Sequence, residues 1–422
     1  MNPITRKISK FFEVFYRDET NDIVLTVFWN SLYIAFLLLP LGINLPTPFF
    51  IISIILGLIN VFKSKKAINL NNKALLLFPL YFMVMSISLI YTDNILDGID
   101  VLQRSLSLLL FPLIFLFVKE DALTVRKLFN FLLVGLIISF FINLSLAVDQ
   151  SISRVEGDVT LGSFAYGWEY FIGAEFSKLI NPSYVSLYIL LVLSYYLKNK
   201  LESGLRFIVV IILFLYLFLL ASRAAYLTLG IMSVLLIINI SDKSKKYTMS
   251  IIFLLSMIIF LNNPRVFNFY SRVKDYGKTM EYSNSTSEKS RLLTWDASLK
   301  LIKEAPLLGY GIGDANDILI QKYKELDYHF NYENKYNAHN QFLQTLLQTG
   351  IIGFLVLVSI FILLALRMKR SRNEFSVFLI LFVSLLFESM LVRFNGIVFF
   401  SIIIPLLLKK RSILSSRIIR NT

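Results

Sequence analysis

The chain has no cysteine, only two histidines in 422 residues, and few charges, 17% of the total. Lack of cysteine excludes disulfides, thiolate metal sites and a cysteine nucleophile, and it suits external loops in an oxidising compartment. With His329 and His339 alone, a histidine–carboxylate zinc cluster finds no support, and no Ser-His-Asp pattern is apparent. Acids are scarce as well: 28 Asp and Glu stand against 42 Lys and Arg, a formal charge of +14.

What fills the space is apolar. Hydrophobic residues make up 56% of the chain and aromatics 15%. They fall in runs of roughly 15 to 20 residues, about enough to cross a bilayer. About twelve such runs lie near 24–41, 46–62, 74–91, 101–118, 128–147, 182–197, 205–221, 224–240, 248–262, 340–366, 375–392 and 396–408. The expected fold is therefore all-α, a polytopic membrane protein of about twelve transmembrane helices.

Charge follows the runs. Basic clusters such as Arg6/Lys7/Lys10/Arg17, Lys63/Lys65/Lys66/Lys73, Lys243/Lys245/Lys246 and Lys409/Lys410/Arg411 fall on one side of the expected bundle. The loop at 92–100, on the other side, carries Asp93, Asp97 and Asp100 and no base. This alternation accounts for the positive charge without nucleic acid, and by the positive-inside rule both termini are cytoplasmic. The charged start leads into a full apolar run without a small-residue cleavage site, so the first span is expected to stay as an anchor.

The chain divides into an N-terminal bundle over 1–262 with about nine helices, a large outer loop over 263–339, and C-terminal helices with a cytoplasmic tail over 340–422. A second long outer segment covers 148–181. The large loop exceeds what stays structureless, so it should fold. Within it Leu292, Leu293, Trp295, Leu299 and Ile302 recur at helical spacing, an amphipathic helix ended by Pro306 and suited to lying flat on the outer membrane surface. Gly309-Tyr310-Gly311-Ile312-Gly313 then reads as turns, lacking GxGxxG spacing, and a second helix follows near 315–326. Tyr282 to Ser290 reads as a connection. The Asn284-Ser285-Thr286 glycosylation pattern, the Glu156-Gly157-Asp158 triplet and the acidic 93–100 loop are short patterns that arise often by chance.

His339 stands where the large loop re-enters a helix whose first turns carry Asn340, Gln341, Gln344, Thr345 and Gln348. That stripe is costly against lipid and should face protein or a hydrated cavity. The positive end of the helix dipole favours a neutral imidazole at His339, able to accept a proton as a general base. The plainer alternative is an interfacial histidine bonded to loop backbone. Arg223 lies in a hairpin, Ala221-Ser222-Arg223-Ala224-Ala225, too short to be an independent loop; it either snorkels or binds an anion. Arg291 opens the amphipathic helix, where a cation opposes the dipole and asks for a carboxylate or phosphate partner. Arg104 follows Asp100 by one helical turn, a natural pair, although an intramembrane arginine is also a functional candidate. Glu388 and Arg393, five positions apart, point to different sides of a helix, so each is expected to meet another element or water. His329, among aromatics, reads as an ordinary loop residue.

Taken together, these residues resemble the O-antigen ligase and polymerase superfamily. The resemblance rests on His339-Asn340-Gln341-Phe342-Leu343 followed by Gly350-Ile351-Ile352-Gly353. It extends back through Pro306-Leu307-Leu308-Gly309-Tyr310-Gly311-Ile312-Gly313, Arg291 with Trp295, and Ser222-Arg223-Ala224, over about 205–366. It implies a GT-C-like inner-membrane enzyme of bacteria with a partly helical periplasmic loop. Such an enzyme moves a polyprenyl diphosphate-linked glycan onto a hydroxyl acceptor, inverting the anomeric carbon and using no metal or cofactor. In that picture Arg223 and Arg291 hold the diphosphate and His339 activates the acceptor, with Asn340, Tyr310 and Arg104 as supporting candidates. The acceptor expected first is lipid A-core, which makes the protein a ligase. A polymerase acting on a growing glycan is the close alternative, and a non-enzymatic flippase or transporter the distant one. Membrane lipids, and no nucleic acid, complete the expected partners.

Overall fold

The computed structural model describes residues 15–16, 22–63, 70–120, 123–153, 168–196, 203–238, 243–263, 287–369 and 372–409. The Glu156-Gly157-Asp158 triplet, the Asn284-Ser285-Thr286 pattern, and Arg6, Lys7, Lys10, Arg17, Lys65, Lys66, Lys245, Lys410 and Arg411 lie outside the described residues or side chains. Among the described residues every regular element is a helix. Five helices are long and apolar enough to cross a membrane, and seven further apolar helices are shorter, 10–17 residues each. The protein is thus a multi-pass membrane protein. About twelve transmembrane helices are expected, and five of the apolar helices reach full spanning length among the described residues.

Helix α1 (Ile23–Leu38) starts where the Asp22 carboxylate accepts the N–H groups of Val24 and Leu25 at 2.9 and 3.3 Å. These donors have no partner within the helix, so the cap fixes the start. α1 packs against α2 (Thr47–Lys63) and α5 (Thr124–Ser153), while α3 (Leu77–Ile87) packs on α4 (Ile95–Phe117). Phe28, Trp29, Phe36, Phe111 and Phe115 are fully buried between them, and the Trp29 and Phe115 rings stack at 5.9 Å. Lipid tails are as apolar as these rings, so dispersion and ring geometry hold the bundle more than removal from water does. The reverse faces, with Ile51 and Ile55 on α2 and Met83 and Ile87 on α3, remain exposed and apolar, as a bilayer requires.

The second half of the chain adds α6 (Pro182–Tyr196), α7 (Ser203–Leu220), α8 (Arg223–Ile238) and α9 (Lys243–Leu261). The large loop contributes α10 (Ser287–Glu304), α11 (Ala315–Glu325) and the short α12 (His329–Glu333), and the chain returns through α13 (Gln341–Met368), α14 (Arg372–Phe387) and α15 (Phe394–Leu408). The loop helices have a small core of their own, including Ala297, Leu301, Leu319, Tyr323 and Ala338. The second loop helix lies where its spacing placed it, and the first ends just before Pro306.

Two details of α10 differ from the sequence reading. Its buried face is Ser290, Thr294, Ala297, Ser298 and Leu301, while Leu292 and Leu299 stay exposed at 62% and 50%. Small residues let α10 approach α13 closely, and that contact, not leucine spacing, chose the buried side. Arg291 does not open the helix either: α10 begins by Ser287, which places Arg291 in its second turn.

α13 is broken. At Gly350 the backbone turns to φ 60° and ψ −157°, a conformation essentially confined to glycine. The hydrogen bonds lost there are remade with the glycine-rich segment. Tyr310 N–H donates to Leu347 O at 2.8 Å, Gly311 N–H to Gln348 O at 3.0 Å, and Ile351 N–H to Pro306 O at 3.0 Å. Every freed backbone group so named has a partner, which is why a break in a membrane helix is tolerated. The segment also lies hard against the outer end of α3 and the start of α4. A Cβ on Gly311, itself at φ +86°, would stand 2.0 Å from Thr92 Oγ1. Next to it the Asp314 carboxylate accepts the N–H groups of Asp93 and Asn94, each at 2.7 Å.

Candidate active site

Five chain segments end at one place. α14 packs against both α6 and α8. Its last residue, Phe387, is followed by a bend at Glu388, so the carboxylate sits at the heads of those two helices. α6 begins with Asn181, whose Oδ1 accepts from Ser183 N–H at 2.9 Å, and with Pro182 in its first turn, where proline's missing N–H costs nothing. α7 and α8 are joined by only Ala221 and Ser222, with Ala221 at φ 48° and Tyr226 N–H closing the first turn of α8 on Ser222 O. Arg223 thus stands on the first turn of α8.

α10 brings the fourth wall. Asn331 on α12 donates to Ser290 O at 2.8 Å and to Thr294 Oγ1 at 2.7 Å, fixing the turn that carries Arg291. The strand of loop before α13 then delivers Tyr336 and His339. Tyr323 Oη–H holds Tyr336 O, and Ala338 N–H donates to Gln344 Oε1 at 3.1 Å. Asn340 caps α13, its side chain accepting from Phe342 and Leu343 N–H. The buried Gln341 reaches across with its Oε1 to accept Leu391 N–H at 2.7 Å. That bond ties the head of α13 to the break after α14, and so brings His339 to Glu388.

The result is a cavity of about 260 Å³ lined by Arg223, Arg291, His339, Glu388, Tyr336 and Ser222, among others, and reached by the first turns of α6 and α8. His339 Nδ1 lies 3.3 Å from Glu388 Oε1, and the His339 and Tyr336 rings meet edge to face at 5.2 Å. His339 holds φ 44°, in the left-handed region that costs a non-glycine residue of order 1–3 kcal/mol. Ala221, which also lines the cavity, is strained in the same way.

The electrostatics come from burial and proximity. Burial pushes the Arg291 guanidinium below its ordinary pKa, against the opposing pull of Glu388 and Tyr336. Among the described residues no carboxylate forms an ion pair with it. For Glu388, just past the end of its helix, burial works to raise the carboxyl. The hydrogen bond to His339 and the charges of His339, Arg291 and Arg393 outweigh it and hold the group below its ordinary value. An ionised Glu388 can only accept a hydrogen bond, so the proton of this contact sits on Nδ1, and in that tautomer Nε2 is the acceptor nitrogen. The sequence pointed to the helix dipole at His339; the structure adds a carboxylate from 49 residues away. Two arginines and two helix N-termini make the remaining wall suited to an anion.

Other sequence candidates lie elsewhere. Arg104 pairs with Asp100 on α4, where both are largely exposed, and takes no part in the cavity lining. Tyr310 Oη–H bonds to Leu301 O and Glu304, so it serves the glycine-rich segment. Asn340 serves as a helix cap. The polar stripe of α13 faces protein as expected: Gln341, Gln344, Thr345 and Gln348 are all buried, with Tyr81 Oη at 3.0 Å from Thr345 Oγ1. His329 is an exposed residue of α12.

Residues 208–358 match the family model described as O-antigen ligase. Over these residues the chain is similar to O-antigen ligases. Arg223, Arg291 and His339 lie inside the matched O-antigen ligase segment, and Glu388 lies beyond it. A protein of Haemophilus influenzae (strain ATCC 51907 / DSM 11121 / KW20 / Rd), described only as uncharacterized, is 24% identical over 344 residues, covering 78% of this chain and 80% of its own. The residue that sequence reading left out of this cavity is Glu388. Its signal was present: a carboxylate in an otherwise apolar run is costly in a membrane and marks a functional candidate.

Proposed function

We propose that the protein is an O-antigen ligase: an inner-membrane glycan transferase that moves a polyprenyl diphosphate-linked glycan onto a hydroxyl of lipid A-core at the periplasmic face. The observation that carries this reading is that Arg223, Arg291 and His339 line one cavity with Glu388. In this proposal all twelve apolar helices span a GT-C-like bundle, both termini are cytoplasmic, and the large loop with the site faces the periplasm.

The donor diphosphate lies against Arg223 and Arg291, whose forked donors match its oxygens. The acceptor hydroxyl approaches His339 Nε2. As its oxygen attacks the anomeric carbon, its proton passes to Nε2, a new C–O bond forms, and the C1–O bond to phosphate breaks. The electron pair of that bond stays on the diphosphate oxygen, where the arginines stabilise it. Attack from the face opposite the leaving group inverts the anomeric carbon. Glu388 holds Nδ1–H and stabilises the imidazolium that forms. These groups complete the step without metal or cofactor.

A polymerase performs the same chemistry with a growing glycan as acceptor. Gene deletion separates the two: loss of a ligase leaves bare core lipid, loss of a polymerase leaves core capped by a single repeat, and unchanged surface glycans overturn both. Purified protein with lipid-linked donor and acceptor separates either from a flippase or transporter, which gives no covalent product.

A further inference from the structure

Outside the membrane helices, the polar stretch between Gly309 and Gly350 exposes two large hydrophobic residues, Phe330 at 38% and Tyr332 at 39%. Their neighbours His329, Glu333, Asn334 and Lys335 are exposed and polar or charged. An isolated phenylalanine in such company is a poor membrane anchor, since burying it in lipid drags Glu333 and Lys335 with it. It is, however, not isolated within the fold. The Phe330 ring meets Tyr336 edge to face at 5.9 Å, and Tyr336 meets His339 in the same manner at 5.2 Å. Tyr336 is also a wall of the cavity. A row of three rings therefore leads from solvent to the imidazole.

The backbone holds this row in place at a cost. Asp327 at φ 55° and Lys335 at φ 47° flank α12, and His339 follows, three of the four left-handed non-glycine residues among those described. Asn331, fully buried, pins α12 to α10 through Ser290 and Thr294. Strain kept by such bonds clusters where a side chain must be presented rather than packed away.

We infer that Phe330 and Tyr336 form a stacking platform for a sugar ring of the acceptor glycan, next to the unit whose hydroxyl meets His339. A pyranose presents a face of C–H bonds, weakly positive and apolar, to the negative face of an aromatic ring, while its hydroxyls turn toward water and polar neighbours. Glycans are the class of ligand that fits an aromatic ring set among polar groups. The acceptor is singled out because the row ends on the histidine, the group proposed to take the acceptor's proton. This inference rests on the reading of the cavity as a glycan-transfer site.

The test titrates acceptor against purified full-length protein at saturating lipid-linked donor. Phe330→Ala should raise the acceptor KM about tenfold, the loss of one ring contact worth roughly 1.4 kcal/mol, with kcat and donor KM held within about twofold. Phe330→Trp should restore the acceptor KM. Tyr332→Ala, two positions on and so turned away from Phe330 on a helix, serves as the control for loss of an exposed ring. An unchanged acceptor KM in Phe330→Ala, or a rise in donor KM alone, overturns the platform. If the wild-type protein transfers nothing, the functional reading falls, and saturation-transfer NMR with a lipid-free core oligosaccharide decides the platform by itself. Signal lost in Phe330→Ala supports it, and signal equal to wild type, or absent from wild type, overturns it.

Discussion

Arg104, on the apolar helix α4, and Arg291, on the loop helix α10, are both cations, and they differ in where their partners come from. Arg104 is matched within its own helix by Asp100, one turn earlier, and its side chain is 40% exposed. Arg291 is half-buried on a loop helix, faces Glu388 and Tyr336 from other segments, and shares a cavity with Arg223. A charge with a sequence-local counter-charge has its solvation problem solved and little left to offer a ligand. One held by distant elements, desolvated and without an ion pair among the described residues, gains most when an anion arrives.

Substitutions sharpen that contrast. The largest effect belongs to the cavity: His339→Ala or Arg291→Ala should lower transfer by at least about a hundredfold while the protein still inserts and folds, measured as ligated product against membrane-fraction protein. Undiminished activity in both removes the site assignment. Glu388→Gln comes next, with a fall in kcat of about tenfold to a hundredfold, because the amide no longer stabilises the imidazolium. The carboxyl's pKa lies below its ordinary value in the fold. The hydrogen bond it makes with His339 is therefore present above the ordinary carboxylate range, and the stability it adds is lost as pH falls through the depressed value. The unfolding midpoint of Glu388→Gln in detergent should lack that fall at acid pH, and a kcat equal to wild type would sink the role.

Gly350→Ala probes the scaffold rather than the chemistry. Its Cβ would stand 2.2 Å from Leu307 O at a backbone conformation closed to alanine, so a loss of about 1–3 kcal/mol is expected, read as a lower unfolding midpoint in detergent. Arg104→Ala should be the mildest. An exposed i,i+4 pair is worth about 0–1 kcal/mol, and both stability and transfer should stay near wild type. A large loss of transfer there would erase the distinction drawn between the two arginines.

Helix positions were largely legible because apolar runs in this chain are long and their stops are chemical: Asp22 and Asn340 as caps, Pro306 as a breaker. The glycines at 309–313 read as turns, but their purpose did not. Only the structure shows them replacing the hydrogen bonds that α13 loses at Gly350. Leucine spacing on α10 misled for a related reason. Amphipathic spacing reports which face is apolar, whereas close helix packing around the site favoured the small residues Ser290, Ala297 and Ser298.

His339 and Arg223 could be singled out from the chain because each is a polar group placed where an apolar run begins or a loop re-enters it, and Arg291 because a cation early in a helix asks for a partner. That is a local signal, carried by neighbours within a few residues. Glu388 as the partner of His339 had no such signal, since a contact across 49 positions depends on how α6, α8 and α14 converge and on Gln341 reaching Leu391. Sequence determined which groups are costly to bury. Tertiary packing decided which of them meet, because the interaction energy of two charges depends on a distance that spacing along a chain does not contain.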